Sequence, residues 1–455
     1  MADPVGALSI AFDALPMAAT PTWTRIDTLA GCRVREWTID RGRPTEFDKT
    51  DTGTATARIV DREGLFDPTN GTSPYVGKIL PGKQAAIALQ NPISDTWHTL
   101  FRGFIESWRY QLDQTRQYME LELQLVDGFA ILARALLEVG EDGALPLPAE
   151  IADGNVGYGE TLGTVKDRID GILSDVDWPV ALRDVFTGNV RVGPKAYGPG
   201  TSALDAIWDA VDGEFPGVAN CWMSSEGIFV FRGRQARFRP EVAEYQINER
   251  TVGDPSVTLL DPDVVPLSEL EWVNGYDNLY NAASATPQGV GTGSSWRQLD
   301  PAQDDVAGQY VKDQTSIDAH GLHSITFDQL QTLEGIATSS SSLVETKKFA
   351  TYYVENYADP GVGRISRMVF KTRRPGNLNG TALWLHMCNV EISDLLTLQT
   401  EHPGGGGFNH QFYVEGIHYT CRPGPPEYPI LELSLDVSPR AHYTTNPFDE
   451  DTDPV

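Results

Sequence analysis

The chain has 455 residues, with 63 acidic against 35 basic side chains and a formal net charge of −28. Its length exceeds what one core usually organises, so roughly two to four domains are expected. A surface this acidic disfavours stable binding to nucleic-acid backbones or anionic lipid. Hydrophobic content of 40% and charged content of 22% are ordinary for a soluble protein, and 43 Gly with 30 Pro point to many turns and hence to β-structure.

The opening "MADPVGALSIAFDALPMAA" lacks a basic segment and is interrupted by Asp3 and Asp13, which argues against a signal peptide. No run approaches the roughly 20 apolar residues of a membrane span. Residues 1–130 then read as strands. Ala55, Ala57 and Ile59 alternate with Thr54, Thr56 and Arg58, the period of a half-buried strand. "QAAIALQ" repeats the pattern with Ala85, Ile87 and Leu89, and "QYMELELQL" does so with Met119, Leu121, Leu123 and Leu125. "FRGFIESWRYQLDQTRQ" and "LPGK" supply hairpin and loop signals between them. An antiparallel sheet or barrel with one apolar face follows.

The period changes after residue 127. Phe129, Leu132, Ala133 and Leu136 have helical spacing, as do Val165, Ile169, Ile172, Leu173 and Val176. Leu204, Ile207, Trp208 and Val211 form a third stripe behind an N-cap pair, Ser202 and Asp205. Residues 127–215 are therefore mostly helical, interrupted by "GPKAYGPG", and a strand returns at "GIFVFRGR". The Pro/Asp-rich "DPSVTLLDPDVVPLSEL" reads as a connector, and "NGYDNLYNAASAT" as a strand before a Gly/Ser loop near residue 290. "TSIDAHGLHSI" and two short helices follow, including "ETKKFATYYVENYAD" with Phe349, Tyr352 and Tyr353. "ISRMVFKT", "LLTLQ", "FYVEGIHYTC" and "PILELSLDV" are strands, and "TTNPFDEDTDPV" is an acidic, mobile tail. The late β-region echoes the first, without a short-period repeat.

Catalytic and metal motifs do not emerge. Cys32, Cys221, Cys388 and Cys421 are widely spaced, with no C-x-x-C, so buried free thiols in a reducing cytoplasm are expected. His320 and His323 are separated by Gly321 and lack an H-E-x-x-H, and His402, His410 and His418 surround a glycine run at 404–407 with no phosphate-loop Lys. There is no G-x-S-x-G elbow. The loop after residue 60, "DREGLFDPTNGT", resembles a calcium loop only superficially. Counting from Asp61, positions 5, 6 and 12 are Leu65, Phe66 and Thr72, where an EF-hand needs an acid, Gly and Glu. A tight turn fits better, with Gly64 supplying backbone freedom and Pro68 fixing φ after Asp67. No catalytic, cofactor or metal residue is assigned, and no cofactor is expected.

One ordered stretch is recognisable. Trp23, Thr24 and Ile26 begin it, Arg41, Gly42 and Arg43 form a turn, and Gly53 to Thr56 start a strand. Phe66, Asp67, Pro68, Asn70, Ser73, Pro74 and Tyr75 complete F-D-P-x-N-x-x-S-P-Y. This succession resembles the opening of minor tail proteins of long-tailed actinobacterial phages, and "LFRGFIESWRYQLD" through "VDGFAILAR" resembles that family's next hairpin and helix. The motif residues Trp23, Arg41, Gly42, Gly53, Phe66, Asp67, Pro68, Asn70, Pro74 and Tyr75 take structural roles in this resemblance.

"TSIDAHG", the helix near 350 and "ISDLLTL" to "LELSLDV" are similar to baseplate hub proteins of phage tails and related injection machines. The resemblance implies a β-rich α+β chain with two tail-tube-like β-barrel domains and smaller helical or mixed domains between them. The first barrel covers 1–130, a mixed, largely helical domain with a β-hairpin 131–255, and the second barrel 256–310 with 361–442. A helical insertion covers 311–360 and the acidic tail 443–455.

The implied protein is a non-enzymatic virion component at the tail tip, made in the host cytoplasm. It is a homotrimer whose six barrels match a sixfold tube, a ring closed by heterologous contacts. Its partners are the distal tail protein ring, the tape measure protein and other tail-tip or receptor-binding proteins, and DNA passes without stable binding. Two other classes compete. A cell-wall hydrolase would need a further catalytic module, and the final strands leave no room for one. An adhesin would use the ten Trp and sixteen Tyr, which scatter through strands and helices as core residues do.

Overall fold

The computed structural model describes residues 4–113, 118–137, 163–188, 190–192, 197, 200–254, 261–273, 275–276, 278–287, 310–330, 344–359, 364–372, 380–401, 407–423 and 429–444. The Gly/Ser loop near 290, the glycines at 404–406, His402, most of "GPKAYGPG" and the tail from 445 lie outside these residues.

Alternation of apolar side chains builds the largest element, a 14-stranded sheet made of two sets of seven. The first set runs in space Cys32–Gly42, Asp51–Asp61, Tyr118–Val126, Trp97–Asp113, Gln84–Gln90, Val5–Ile10, Thr24–Arg25, with every pair antiparallel. Ala55, Ala57, Ile59, Leu121, Leu123 and Leu125 all turn into the core, as their period requires. Residues 101–113, a hairpin and loop signal in the sequence, instead continue one strand to Asp113. A register shift between Ile105 and Ser107 lets Trp97–Asp113 follow its neighbour Tyr118–Val126.

The second set is Val265–Pro266, Glu249–Gly253, Leu395–Glu401, Gly407–Pro423, Pro429–Pro439, Arg364–Lys371 and Glu269–Val273. The Pro/Asp-rich connector thus contains two strands, Val265–Pro266 and Glu269–Val273. Their brevity and, for Glu269–Val273, exposure on an edge leave little hydrophobic pattern to read. Where the sequence reading has two separate barrels, the two sets are hydrogen-bonded into one sheet, and no sheet is closed among the described residues.

The join is Gly407–Pro423. On one side it pairs from Phe412 to Pro423 with Pro429–Pro439. On the other its first half, to Tyr413, pairs with Leu395–Glu401, and its second half, from Gly416, pairs with Cys32–Gly42. A bulge at Glu415 marks the hand-over. One hydrophobic core runs beneath both sets, from Leu8 and Trp37 to Leu396 and Leu433. Helix Gly380–Asn389, which the sequence reading lacks, contributes Leu383, Trp384 and Met387 to this core. Its buried residues surround most of its circumference, so no amphipathic stripe announces it.

The middle of the chain forms a second core. Helices Gly128–Arg134, Val165–Asp175 and Ala203–Val211 bring Phe129, Ile169, Ile172 and Ile207 together over a small sheet of Arg183–Val185, Phe229–Arg232 and Asn220–Met223. Caps start these helices. Asp127 accepts from the Phe129 N–H at 2.9 Å, Thr164 and Asp167 form a capping box, and Ser202 accepts from the Asp205 N–H at 3.1 Å. The region is therefore helical with a three-stranded sheet, where the sequence shows only one of the strands plainly. A third core is aromatic: helix Val344–Tyr357 lays Phe349, Tyr353 and Tyr357 beside the sheet of Tyr310–Lys312, Ala282–Pro287 and Ser324–Leu330. Phe349 also stacks on Phe215 at 4.4 Å, which links this core to the end of the middle region.

Candidate assembly site and structural relatives

The recognisable stretch folds into two places. The first is the loop after Asp51–Asp61. Asp61 is buried, and its carboxylate accepts from the N–H groups of Glu63 at 3.1 Å and Phe66 at 2.8 Å. Asp67 accepts from the Thr69 N–H and hydroxyl at 2.8 and 2.7 Å, contacts that hold its carboxyl below the usual range. Asn70 donates to the Gly64 carbonyl at 2.9 Å, and Gly64 has φ +67°. The polar side chains are thus spent on their own backbone, as in Asx-turns. They hold Phe66, which is fully buried, against Phe12, Tyr75 and Trp108. Pro68 and Pro74 lie exposed on the outer side. Trp23 stands apart, half-buried, under the Arg102 guanidinium at 5.6 Å.

The second place is the join itself. Gly42 has φ +99°, and a Cβ there would lie 2.2 Å from the Glu415 carbonyl oxygen, so only glycine lets the strands meet. Arg41 leaves the sheet to donate to Glu391 at 2.9 Å and to the Met223 carbonyl at 3.2 Å. It thereby ties the first strand set to the middle region and to the loop before Leu395–Glu401. Gly53 donates to Asp127 at 2.8 Å, which couples the next strand to the first helix of the middle region. Burial pushes the Asp127 carboxyl up to about 7, against the pull of the Gly53 and Phe129 N–H groups.

At the bulge, Glu415 points into an interior ion cluster. Its carboxylate accepts from Arg43 Nε at 2.7 Å, from both terminal nitrogens of Arg237, one of them at 2.8 Å, and from the Ser438 hydroxyl. Side-chain exposures are 0% for Glu415, 1% for Arg43 and 3% for Arg237, so the three charges are held away from water and balanced mainly by one another, with the buried Glu46 carboxylate close enough to act on Glu415 as a like charge. Burial alone would raise the Glu415 carboxyl, but Arg237 and Arg43 overcome it and hold it down at about 2. Tyr443 and the Arg237 carbonyl extend the network, the latter accepting from Tyr413 at 2.6 Å. Three remote segments therefore meet on one carboxylate. Neither Glu415 nor Arg237 stands out as a motif. The only signal is a lone acid between apolar residues in "FYVEGIHY" and a run of arginines in "FRGRQARFR".

Three residues along the same strand, His418 bridges Asp40 at 2.9 Å and Asp436 at 2.7 Å. Its partial burial opposes protonation, but these two carboxylates raise the imidazole to about 9. His320 and His323 flank the Tyr276 ring rather than converging on a metal. Among the described residues no group of three or more His, Cys, Asp or Glu could hold a metal ion. The four cysteines are free, and Cys32 is only half-buried; burial pushes the thiols of Cys388 and Cys421 up to about 12.

No family model and no curated protein sequence matches the chain. Solved structures do. A tail protein from Neisseria meningitidis MC58 aligns with 95% of this chain and 96% of its own, with TM-score 0.51 and 14% identity. The 43 kDa tail protein of prophage MuSo2 from Shewanella oneidensis aligns with 96% of this chain and 99% of its own, with TM-score 0.52 and 8% identity. A more distant similarity, with TM-score 0.41 and 11% identity, is to an E. coli component of the type VI secretion system, over 91% of this chain and 76% of that one. The chain has the fold of phage tail proteins.

Proposed function

We propose that the protein is a structural component of a phage-type tail, a homotrimeric hub at the tail tip. The observation that carries this reading is the end-to-end alignment with two whole tail proteins, which leaves no large part of either chain over. The F-D-P-x-N-x-x-S-P-Y loop and the two seven-strand sets support it. In this reading each set is one tube-like unit, so a trimer presents six to a sixfold tube and closes by heterologous contacts.

The hub joins a distal tail protein ring to tail-tip or receptor-binding proteins, and passes the tape measure protein and DNA during ejection from a long-tailed virion. Its role is mechanical, without catalysis. The net charge of −28 suits a conduit that repels duplex DNA instead of retaining it. The test is native mass with image averaging. Three chains of 49.9 kDa give about 150 kDa and a threefold ring with an acidic channel. A stable monomer, a basic lining, or clearing of host peptidoglycan in a zymogram would overturn the proposal.

A further inference from the structure

Helix Gly380–Asn389 packs on the joined sheet with Thr381 and Leu385 facing water, and with Leu383, Trp384, His386 and Met387 buried. His386 is 0% exposed, and its ring makes a T-shaped contact with Phe370 at 4.6 Å between centroids. Neither ring nitrogen has a hydrogen-bond partner. The charge that acts on the ring is the Arg250 guanidinium, whose Nε is likewise buried and unpartnered, and among the described residues no carboxylate offsets it. A neutral imidazole leaves one donor and one acceptor unmet in this place. An imidazolium would leave two donors and a full charge beside a second cation, which is far more costly.

The other elements packed on the helix bring the ring no acceptor. Tyr419, on Gly407–Pro423, donates to the Met387 carbonyl at 2.6 Å, and Val265–Pro266 has no ionisable side chain. His98, Arg41, Glu226 and Glu391 border a cavity with Cys388 and Asn389, at the C-terminal end of the helix. We propose that helix Gly380–Asn389 is an acid-released latch: protonation of His386 ejects it and uncovers the apolar strip of Leu383, Trp384 and Met387, while the strands beneath stay paired. Burial and Arg250 hold the imidazole down at about 3, against 6.5 for the released side chain. The closed helix is therefore fully favoured above pH 6.5, and that preference is lost as pH falls from 6.5 towards 3. At pH 5 the released form gains about thirtyfold over its level at pH 7.5. The buried acids do not copy this effect. Glu415 loses its contribution only below pH 4.5. Asp394, in the loop that follows the helix, has its carboxyl raised by burial to about 7, so acid steadies that loop. The latch is formed within one chain and does not depend on the tail reading.

Hydrogen exchange of the full-length protein, read by mass spectrometry on peptides covering 380–389 and 429–439, tests the latch. Protection factors, which remove the intrinsic pH dependence of exchange, should fall about thirtyfold in the helix between pH 7.5 and pH 5. In the strand Pro429–Pro439 they should change by less than about threefold. His386→Leu should hold the helix's protection constant over the same range. Cys388, buried in the same helix, gives a second reading in the unmodified chain. Its labelling by dithiodipyridine, located by peptide mapping and scaled to a free-thiol standard, should rise by the same factor. Constant protection of the helix down to pH 5, an equal fall in helix and strand, or a fall that persists in His386→Leu overturns the proposal.

Discussion

Replacing Glu415 with glutamine tests the interior cluster directly. The substitution keeps shape but removes the charge and turns an NH2 toward donors of Arg43 and Arg237, both already buried. Two routes give the magnitude. Lowering a carboxyl from 4.5 to about 2 corresponds to roughly 3 kcal/mol in favour of the ionised folded state. Removing one partner of a buried ion pair costs about 3–5 kcal/mol by the general rule. A loss of about 3–4 kcal/mol is therefore expected in urea unfolding followed by tryptophan fluorescence.

The pH dependence has a definite sign. Because the folded pKa is depressed, the stabilisation is present above pH 4.5 and lost as pH falls through about 2, and Glu415→Gln should flatten that acid limb. The triple replacement Arg43→Met, Arg237→Met, Glu415→Leu should recover much of the loss, since apolar side chains leave no charge stranded. A Glu415→Gln protein within about 1 kcal/mol of wild type at pH 7 would refute the reasoning, which assigns the join to this carboxylate.

Two further predictions concern the same join. Gly42→Ala should cost at least about 2 kcal/mol, because strain at positive φ adds to a backbone clash; Gly77→Ala, with φ +75° and nothing within 4 Å of its Cβ, should lose only about 1 kcal/mol in the same thermal melts. Equal losses would show that the close approach to Glu415 is unimportant. His418 has its folded pKa raised from 6.5 to about 9, so its stabilisation is full below pH 6.5 and disappears as pH rises through 9. With the side chain about one-third exposed, solvent screening reduces the effect to about 1–2 kcal/mol. His418→Gln should remove that alkaline decline, and an imidazole NMR titration with a midpoint near 6.5 would contradict it.

Local order in the chain was legible wherever one physical rule acted over neighbouring residues. Alternation in "TATARIV" and "YMELELQL" specified strands and their buried faces, because a side chain's face depends only on its parity. Ser202 with Asp205 marked a helix start, because a cap spans three residues. The loop from Asp61 to Tyr75 could be read as a turn, because its carboxylates bond to N–H groups two to five residues away. Pairing could not be read in this way. Parity does not say which edge a strand will meet, so two barrels and one joined sheet are equally consistent with the same alternation.

Helix Gly380–Asn389 was hidden for a related reason: apolar residues on nearly every side leave no face to detect. Glu415 meets Arg43 across 372 positions and Arg237 across 178, separations over which no local pattern pairs an acid with its arginines. Only the tertiary structure turns them inward, because the bulge that hands one strand from one neighbour to another leaves a buried carboxylate that needs both arginines.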